Sequence, residues 1–220
     1  MIRLASLTAL TRGRFITLEG GEGAGKTTNL KVIEDYLKVK NIPVLMTHEP
    51  GGTPLAEQIR KLLLAPDLEL DPAEKFSDDT ELLLMFASRA QHLSTLILPA
   101  LASGQWVICS RFTDSSYAYQ GGGRGIDFER IKLLEKFVQG DFQPDLTFYF
   151  DLPVEIGLAR AKNRGNLDRI EQEDIAFFSR VRNAYLTRIE QDKNRFKLIN
   201  ANQMPEEVAQ DICHALGLLI

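Results

Sequence analysis

Five short apolar runs punctuate the chain: Phe15-Ile-Thr-Leu18, Ile42 to Met46, Trp106-Val-Ile-Cys109, Leu146-Thr-Phe-Tyr-Phe150 and Phe196-Lys-Leu-Ile199. Each is rich in β-branched or aromatic residues, as a buried strand should be. Helix-length segments separate them. In the first, Leu30, Ile33 and Leu37 share one face, while Lys31, Glu34, Asp35 and Lys38 fall mostly elsewhere. Thr80 to Ala102 reads as one long helix whose last turn is kinked by Pro99. This alternation predicts an α/β fold of three layers, a five-stranded parallel sheet with helices on both faces.

Two stretches do not fit the alternation. Pro66 to Asp79 is polar and proline-punctuated, which reads as a loop leading into the long helix. Arg160 to Glu173 is dense in charge, contains Gly165 and lies between two helical segments. That is the pattern of a mobile lid over an active site, spanning about residues 160–173. No internal repeat or low-complexity linker divides the chain. Residues 1–14 read as a flexible N-terminal extension without a cleavable signal pattern, and residues 15–220 as a single domain.

Composition removes some classes of function. With 25% charged residues and a net charge of -4, the chain lacks the basic excess of a general nucleic-acid binder. Small phosphorylated ligands stay open, since they need only a local cluster of Arg and Lys. No run of 18 apolar residues exists, so no membrane-spanning helix is expected. The two cysteines suggest neither a disulfide framework nor a zinc site, and Cys109 reads as a small buried hydrophobe. The expected location is the cytoplasm.

The chemistry starts at Gly20-Gly21-Glu22-Gly23-Ala24-Gly25-Lys26-Thr27, which fits G-x-x-x-x-G-K-[ST] between an apolar strand and a helix. Glycines let the backbone wrap an anion with its N–H groups pointing inward, and the following helix presents its positive end to the same charge. Lys26 adds a point charge near the β- and γ-phosphates, and the Thr27 hydroxyl is the expected Mg²⁺ ligand. With Thr28, these residues form the expected ATP-phosphate site. The N-K-x-D signature of a guanine-specific GTPase is absent. The chain is also too short to hold a motor or helicase beside this domain, so a small-molecule kinase is favoured. Such a kinase needs cations for the acceptor, and Arg60, Arg89 and Arg111 are candidates. Arg111 stands out because it directly follows the third strand, where ligands of open α/β sheets gather.

Further motifs run through most of the chain. They are Phe15 to Thr28, Glu49-Pro-Gly-Gly-Thr53, Ala118-Tyr-Gln-Gly-Gly-Gly-Arg-Gly125, Gly140-Asp-Phe-Gln-Pro-Asp-Leu146 and Leu167-Asp-Arg-Ile-Glu-Gln-Glu173. In these the chain resembles the bacterial type of thymidylate kinase. The resemblance implies a P-loop NTPase-like fold, transfer of the γ-phosphoryl group of ATP to dTMP with Mg²⁺, and a homodimer. It implies that Glu22 contacts the deoxyribose 3′-OH, that Arg60 and Arg111 hold the dTMP phosphate, and that Arg89 and Gln120 meet the thymine edge. Tyr119 would leave no room for a ribose 2′-OH, and Ser116 would line the same pocket. Ala24 stands where an arginine would otherwise lie in the loop, so the catalytic cation is expected from the lid, at Arg160 or Arg164, with Arg169 nearby. The adenine would rest near residues 201–205.

Three positions depart from the family pattern. Ser110 replaces an aspartate before Arg111, which puts the metal's surroundings in doubt, with Asp151 a possible carboxylate nearby. His48 stands where an arginine is common, and reads as a polar replacement rather than a base. The thymine platform is Met85 or its neighbour Phe86. Two rivals remain: a kinase for another nucleoside monophosphate, and a nucleotide-binding regulator without turnover.

Overall fold

Strand β1 (Phe15–Gly20) runs through the middle of the sheet and is buried along its whole length. It is flanked by β3 (Trp106–Ser110) and β4 (Leu146–Asp151), with β2 (Val44–His48) and β5 (Phe196–Asn200) at the edges. All pairings are parallel. The computed structural model describes residues 12–65, 75–165 and 167–220. Both faces of the central strands meet helices, so β1 is buried along its whole length and β4 at all but its last residue, with no alternation of buried and exposed positions. On one face, Ile16, Leu18, Ile108 and Phe148 pack against Ile33 and Leu37 of α1 (Lys26–Val39) and Ile212 and Leu216 of α9 (Pro205–Gly217). On the other, Phe15, Val107 and Cys109 meet Leu93, Ile97 and Leu101. Tyr149 meets Phe177, Phe178 and Tyr185 of α8 (Ile175–Gln191). The expected three-layer, P-loop-type α/β architecture is therefore present.

The order β2-β3-β1-β4-β5 positions the site. The chain leaves β1 through α1 toward β2 on one side, and leaves β3 toward β4 on the other. Chain paths diverge at the carboxyl ends of β1 and β3, which opens a crevice there. Gly20 and Arg111 are the residues that emerge at its two lips.

Several boundaries differ from the sequence reading, each for a local reason. Strand β2 starts at Val44 rather than Ile42, because the Ile42 N–H closes the end of α1 on the Leu37 carbonyl. The long helix starts as α3 (Asp78–His92), where the Ser77 hydroxyl accepts from the Thr80 N–H and three acidic side chains occupy the first turn. It is not continuous: a π-helical segment (Leu93–Ile97) separates α3 from α4 (Leu98–Ala102). Pro99 has no N–H for the carbonyl of Thr95, and the chain widens at that point. Residues 12–14 do not behave as a flexible extension. Arg12 forks onto Asp145 at 2.9 and 2.6 Å, and the Gly13 N–H donates to the Leu101 carbonyl. Residues 1–11 of that extension, and residues 66–74 of the expected loop, lie outside the described residues. Residues 160–164 of the expected lid are helical, forming the end of α7 (Val154–Arg164). Residues 165–173 are irregular, with Asn166 outside the described set, up to the Asp174 side chain that caps α8.

Candidate active site

The crevice is a cavity of about 850 Å³. Its floor is the phosphate loop, whose turns at Gly20, Gly23 and Gly25 have φ values of 144°, 65° and 84°. At these angles a side chain would be strained. Lys26 folds back over the loop and donates to the carbonyls of Gly20 at 2.9 Å and Gly21 at 2.7 Å. Its ammonium is thereby parked where a phosphate would compete for it. Residues Glu22 through Thr28 line the cavity, with Thr27 exposed in the first turn of α1.

Arg111 closes the opposite lip from a left-handed backbone, φ 67°, unusual for a side-chain-bearing residue. Its Nη2 donates to Glu22 Oε1 at 2.6 Å and its Nη1 to the Gly20 carbonyl at 3.0 Å, while its guanidinium lies 4.7 Å above the Tyr119 ring. Tyr119 donates its hydroxyl to the same Glu22 oxygen at 2.7 Å. Burial pushes the Glu22 carboxyl upward, but Arg111 and Lys26 outweigh it and hold it down at about 2. Burial, reinforced by Arg111, brings the Lys26 ammonium down to about 7. Arg111 thus has an anionic partner in Glu22, whereas the Lys26 ammonium rests on neutral backbone carbonyls.

Further in, Arg89 is buried between the rings of Phe86 and Phe112, 4.6 and 5.2 Å from their centroids. Its Nε donates to Glu49 at 2.8 Å and its Nη2 to Ser116 at 3.1 Å. Its Nη1 is buried without any hydrogen-bond partner among the described residues. Glu49 also contacts His92 Nδ1 at 3.0 Å, and His92 Nε2 contacts Thr47 at 2.7 Å. Gln120 lines the same end and donates its amide to Glu81 at 2.9 Å. Of the two candidate platform residues, Met85 lines the cavity, whereas Phe86 is in the core with Leu82, Tyr117 and Ile131. The expected role of Phe86 in touching a base is corrected accordingly, since its ring underlies Arg89 instead.

Arg60 lines the cavity and donates to the Pro50 carbonyl at 2.9 Å. Arg160 and Arg164 line it from α7; Arg160 donates to the Ala201 carbonyl, and Arg164 is ion-paired with Glu171. Arg169 turns away, bonding the Leu63 carbonyl and Glu81. His48 pairs with Glu57 at 2.8 Å at the cavity edge, as a polar residue would. Asp151 is clamped by Arg182 through two bonds of 2.8 and 2.9 Å and does not line the cavity. Ser110 does line it.

Sequence reasoning passed over the buried acids. Glu81 gathers Gln120, Arg124 and Arg169 on one carboxylate. Glu49 holds Arg89 and His92. Glu19, at the end of β1, is wholly buried. A signal existed for α3: Glu81, Ser88, Arg89 and His92 recur at helical spacing, polar residues on the buried side of the helix.

A triphosphate-binding loop facing a second cation-lined pocket, on this strand order, defines a P-loop kinase that phosphorylates a small phosphorylated acceptor. Residues 18–212 match the family model described as Thymidylate kinase. The chain is 60% identical over 208 residues to the thymidylate kinase of Pseudomonas savastanoi pv. phaseolicola, covering 94% of this chain and 97% of that one. It is 61% identical over 191 residues to that of Pseudomonas entomophila, covering 87% and 89%. The crystal structure of thymidylate kinase from Ehrlichia chaffeensis superposes with a TM-score of 0.74 at 32% identity, covering 94% of this chain and 99% of that one. The chain belongs to the thymidylate kinase family and is a nucleoside monophosphate kinase that phosphorylates dTMP to dTDP with ATP.

Proposed function

We propose that ATP and dTMP occupy the crevice together and that the γ-phosphoryl group passes directly between them. The phosphate loop from Gly20 to Thr28 receives the ATP phosphates. Lys26 leaves the Gly20 and Gly21 carbonyls to meet the β- and γ-oxygens. Arg111 and Arg60 hold the dTMP phosphate, Glu22 takes the 3′-OH, and Tyr119 fills the space a 2′-OH would need. Met85, Ser116 and Gln120 line the base end. No general base is required, because the acceptor is already an anionic phosphate oxygen. Charge spreading over the γ-phosphoryl oxygens in transfer is stabilised by a guanidinium from α7. Arg160 fits this role with one weak backbone bond to give up; Arg164 must first release Glu171.

Among the described residues no group of three or more His, Cys, Asp or Glu side chains could hold a metal alone. The Thr27 hydroxyl, exposed on the cavity floor, fits an ion that takes its remaining oxygens from phosphates and water, as Mg²⁺ does. Mg²⁺ held there would neutralise charge on the phosphate tail. Two free thiols suit a reducing compartment, and we place the enzyme in the cytoplasm.

One observation carries the base-recognition reading: the orphaned Nη1 of Arg89, a buried donor without an acceptor. A buried orphan of this kind is costly unless a ligand satisfies it, and a pyrimidine carbonyl does so. The Arg89→Lys variant keeps a cation for Glu49 and loses the fork. It is expected to raise KM for dTMP by at least about tenfold, one charge-assisted hydrogen bond, with KM for ATP within twofold in a coupled assay of ADP release. An equal rise for both substrates would contradict the role.

A further inference from the structure

Beneath Arg111 lies a carboxylate that the site as described does not use. Glu19 is fully buried and has no cation within ion-pair distance among the described residues. Its Oε1 accepts the Phe112 N–H at 2.7 Å. Its Oε2 lies within accepting distance of the hydroxyls of Ser115 at 2.6 Å and Tyr185 at 2.9 Å, and because those two hydroxyl oxygens are themselves 2.8 Å apart, the carboxylate competes with their mutual bond for the protons. Those same two hydroxyl oxygens are acceptors for Arg111 Nη1, at 3.4 and 3.5 Å. We propose that Glu19 is a positioning residue for Arg111: by drawing both hydroxyl protons toward itself, it turns the oxygen lone pairs of Ser115 and Tyr185 onto the guanidinium and fixes its aim at the acceptor phosphate. This rests on the reading of Arg111 as a phosphate ligand.

Polarity makes the arrangement one-directional. The Phe112 N–H is a fixed donor, so the carboxyl end that faces it must accept. A glutamine at position 19 therefore presents its NH₂ to the two hydroxyls and reverses them, so that their protons oppose Arg111. A protonated Glu19 does the same at one hydroxyl. The carboxylate also binds the backbone just past Arg111, whose left-handed φ needs support from its surroundings. Arg111 Nη1 is held by Gly20 and the two hydroxyls, Nη2 by Glu22, and Nε has no partner among the described residues. That leaves Nε and the second Nη2 hydrogen to meet a phosphate.

Titratable groups face Glu19 from every side: Arg111 and Cys109 from β3 and its exit, Asp114 from α5 (Thr113–Ser116), Tyr149 from β4, Tyr185 from α8 and Lys26 from α1. Burial first, then Asp114, raises the Glu19 carboxyl to about 7. The hydroxyl orientation is thus open to control within the neutral range.

The test compares full-length wild type with Glu19→Gln, Tyr185→Phe and Arg111→Ala, measuring kcat/KM for dTMP, ATP affinity and Tm from pH 5.5 to 8.5. At pH 8 Glu19→Gln is expected to lower kcat/KM for dTMP roughly tenfold, with ATP affinity within twofold and Tm undiminished. The deficit is expected to shrink toward unity below pH 6, where wild-type Glu19 is itself protonated. Tyr185→Phe should cost a similar factor and add little in the double variant, because both act on one network. A dTMP deficit that is absent, or constant across pH, overturns the proposal. Arg111→Ala separates the two readings. If it leaves KM for dTMP unchanged, the phosphate-ligand assignment fails; if it raises KM while Glu19→Gln does not, only the positioning role fails.

Discussion

Burying Glu19 beside Asp114, with no cation at ion-pair distance among the described residues, works against the fold, and the cost has a definite pH dependence. The folded state binds the Glu19 proton more tightly than the unfolded chain does, with a carboxyl at about 7 against the ordinary 4.5. Its favourable contribution is complete below 4.5 and is lost as pH rises through 7. An upper figure for that loss is about 3 kcal/mol. Glu19→Gln removes this titration. Differential scanning calorimetry is expected to show the variant equal to wild type near pH 4.5 and more stable near pH 8.5; parallel Tm curves would refute it. Sequence pointed to Glu22 and Lys26 through a contiguous motif whose spacing encodes a loop around an anion, and to Arg111 through its place directly after the third strand. Glu19, Glu49, Glu81 and His92 were not legible. An acid at the end of an apolar run looks like a surface residue until the fold shows what covers it. Phe86 misled in the opposite sense, since an aromatic residue beside a pocket-lining Met85 carries no mark of which one turns inward.

At the scale of elements, α7 rests its backbone directly on the phosphate loop. A Cβ added at Gly157 would lie 2.4 Å from the Glu22 carbonyl, and one at Gly23 would lie 2.2 Å from the Gly157 carbonyl. A glycine inside a helix costs about 0.5–1 kcal/mol relative to alanine, so Gly157 carries a helix penalty in exchange for that approach. Through it the helix bearing Arg160 and Arg164 is registered against the loop. Gly157→Ala should therefore behave opposite to its helix propensity. The loop carbonyl has to move, at an overpacking cost of about 1–3 kcal/mol, and ATP affinity is expected to fall severalfold with a lower Tm. A variant with higher Tm and unchanged ATP affinity in calorimetric titration would show that the contact is idle. The five strands and the succession of helices were legible from composition and period, to within a few residues at each end. What sequence could not show was register within helices. The π-helical segment at Leu93–Ile97 has the same hydropathy as an α-helix, and the end of α7 looks like loop because Arg160 to Arg164 are charged on nearly every side.

At the scale of the whole molecule, one exposed apolar face bears on assembly. Helices α3 and α6 (Phe128–Gln139) pack together through Leu82, Phe86, Ile131 and Leu134, and the Arg130–Asp79 pair at 2.9 Å ties their outer edges. On their outward faces Leu83, Leu133 and Phe137 are 56%, 71% and 88% exposed. Leu133 and Phe137 stand one helical turn apart, so they form a stripe rather than scattered residues. A large aromatic side chain left in water forgoes about 1.5–3 kcal/mol of burial, and such stripes on otherwise polar surfaces mark protein contacts. The homodimer expected from the family resemblance would place this face against its copy, which requires on the order of 1,000 Å² of total buried surface. It also bears on catalysis, because α3 carries Met85 and Arg89 on its inner side. Locking the outer face of α3 in a dimer would hold the base end of the crevice in place. Sedimentation at micromolar concentration is expected to give a dimer for wild type and a monomer for Phe137→Glu. If the monomeric variant keeps its Tm but shows a raised KM for dTMP, the interface supports the acceptor pocket through α3. If the wild type sediments as a monomer, the stripe serves some other contact and the dimer proposal fails.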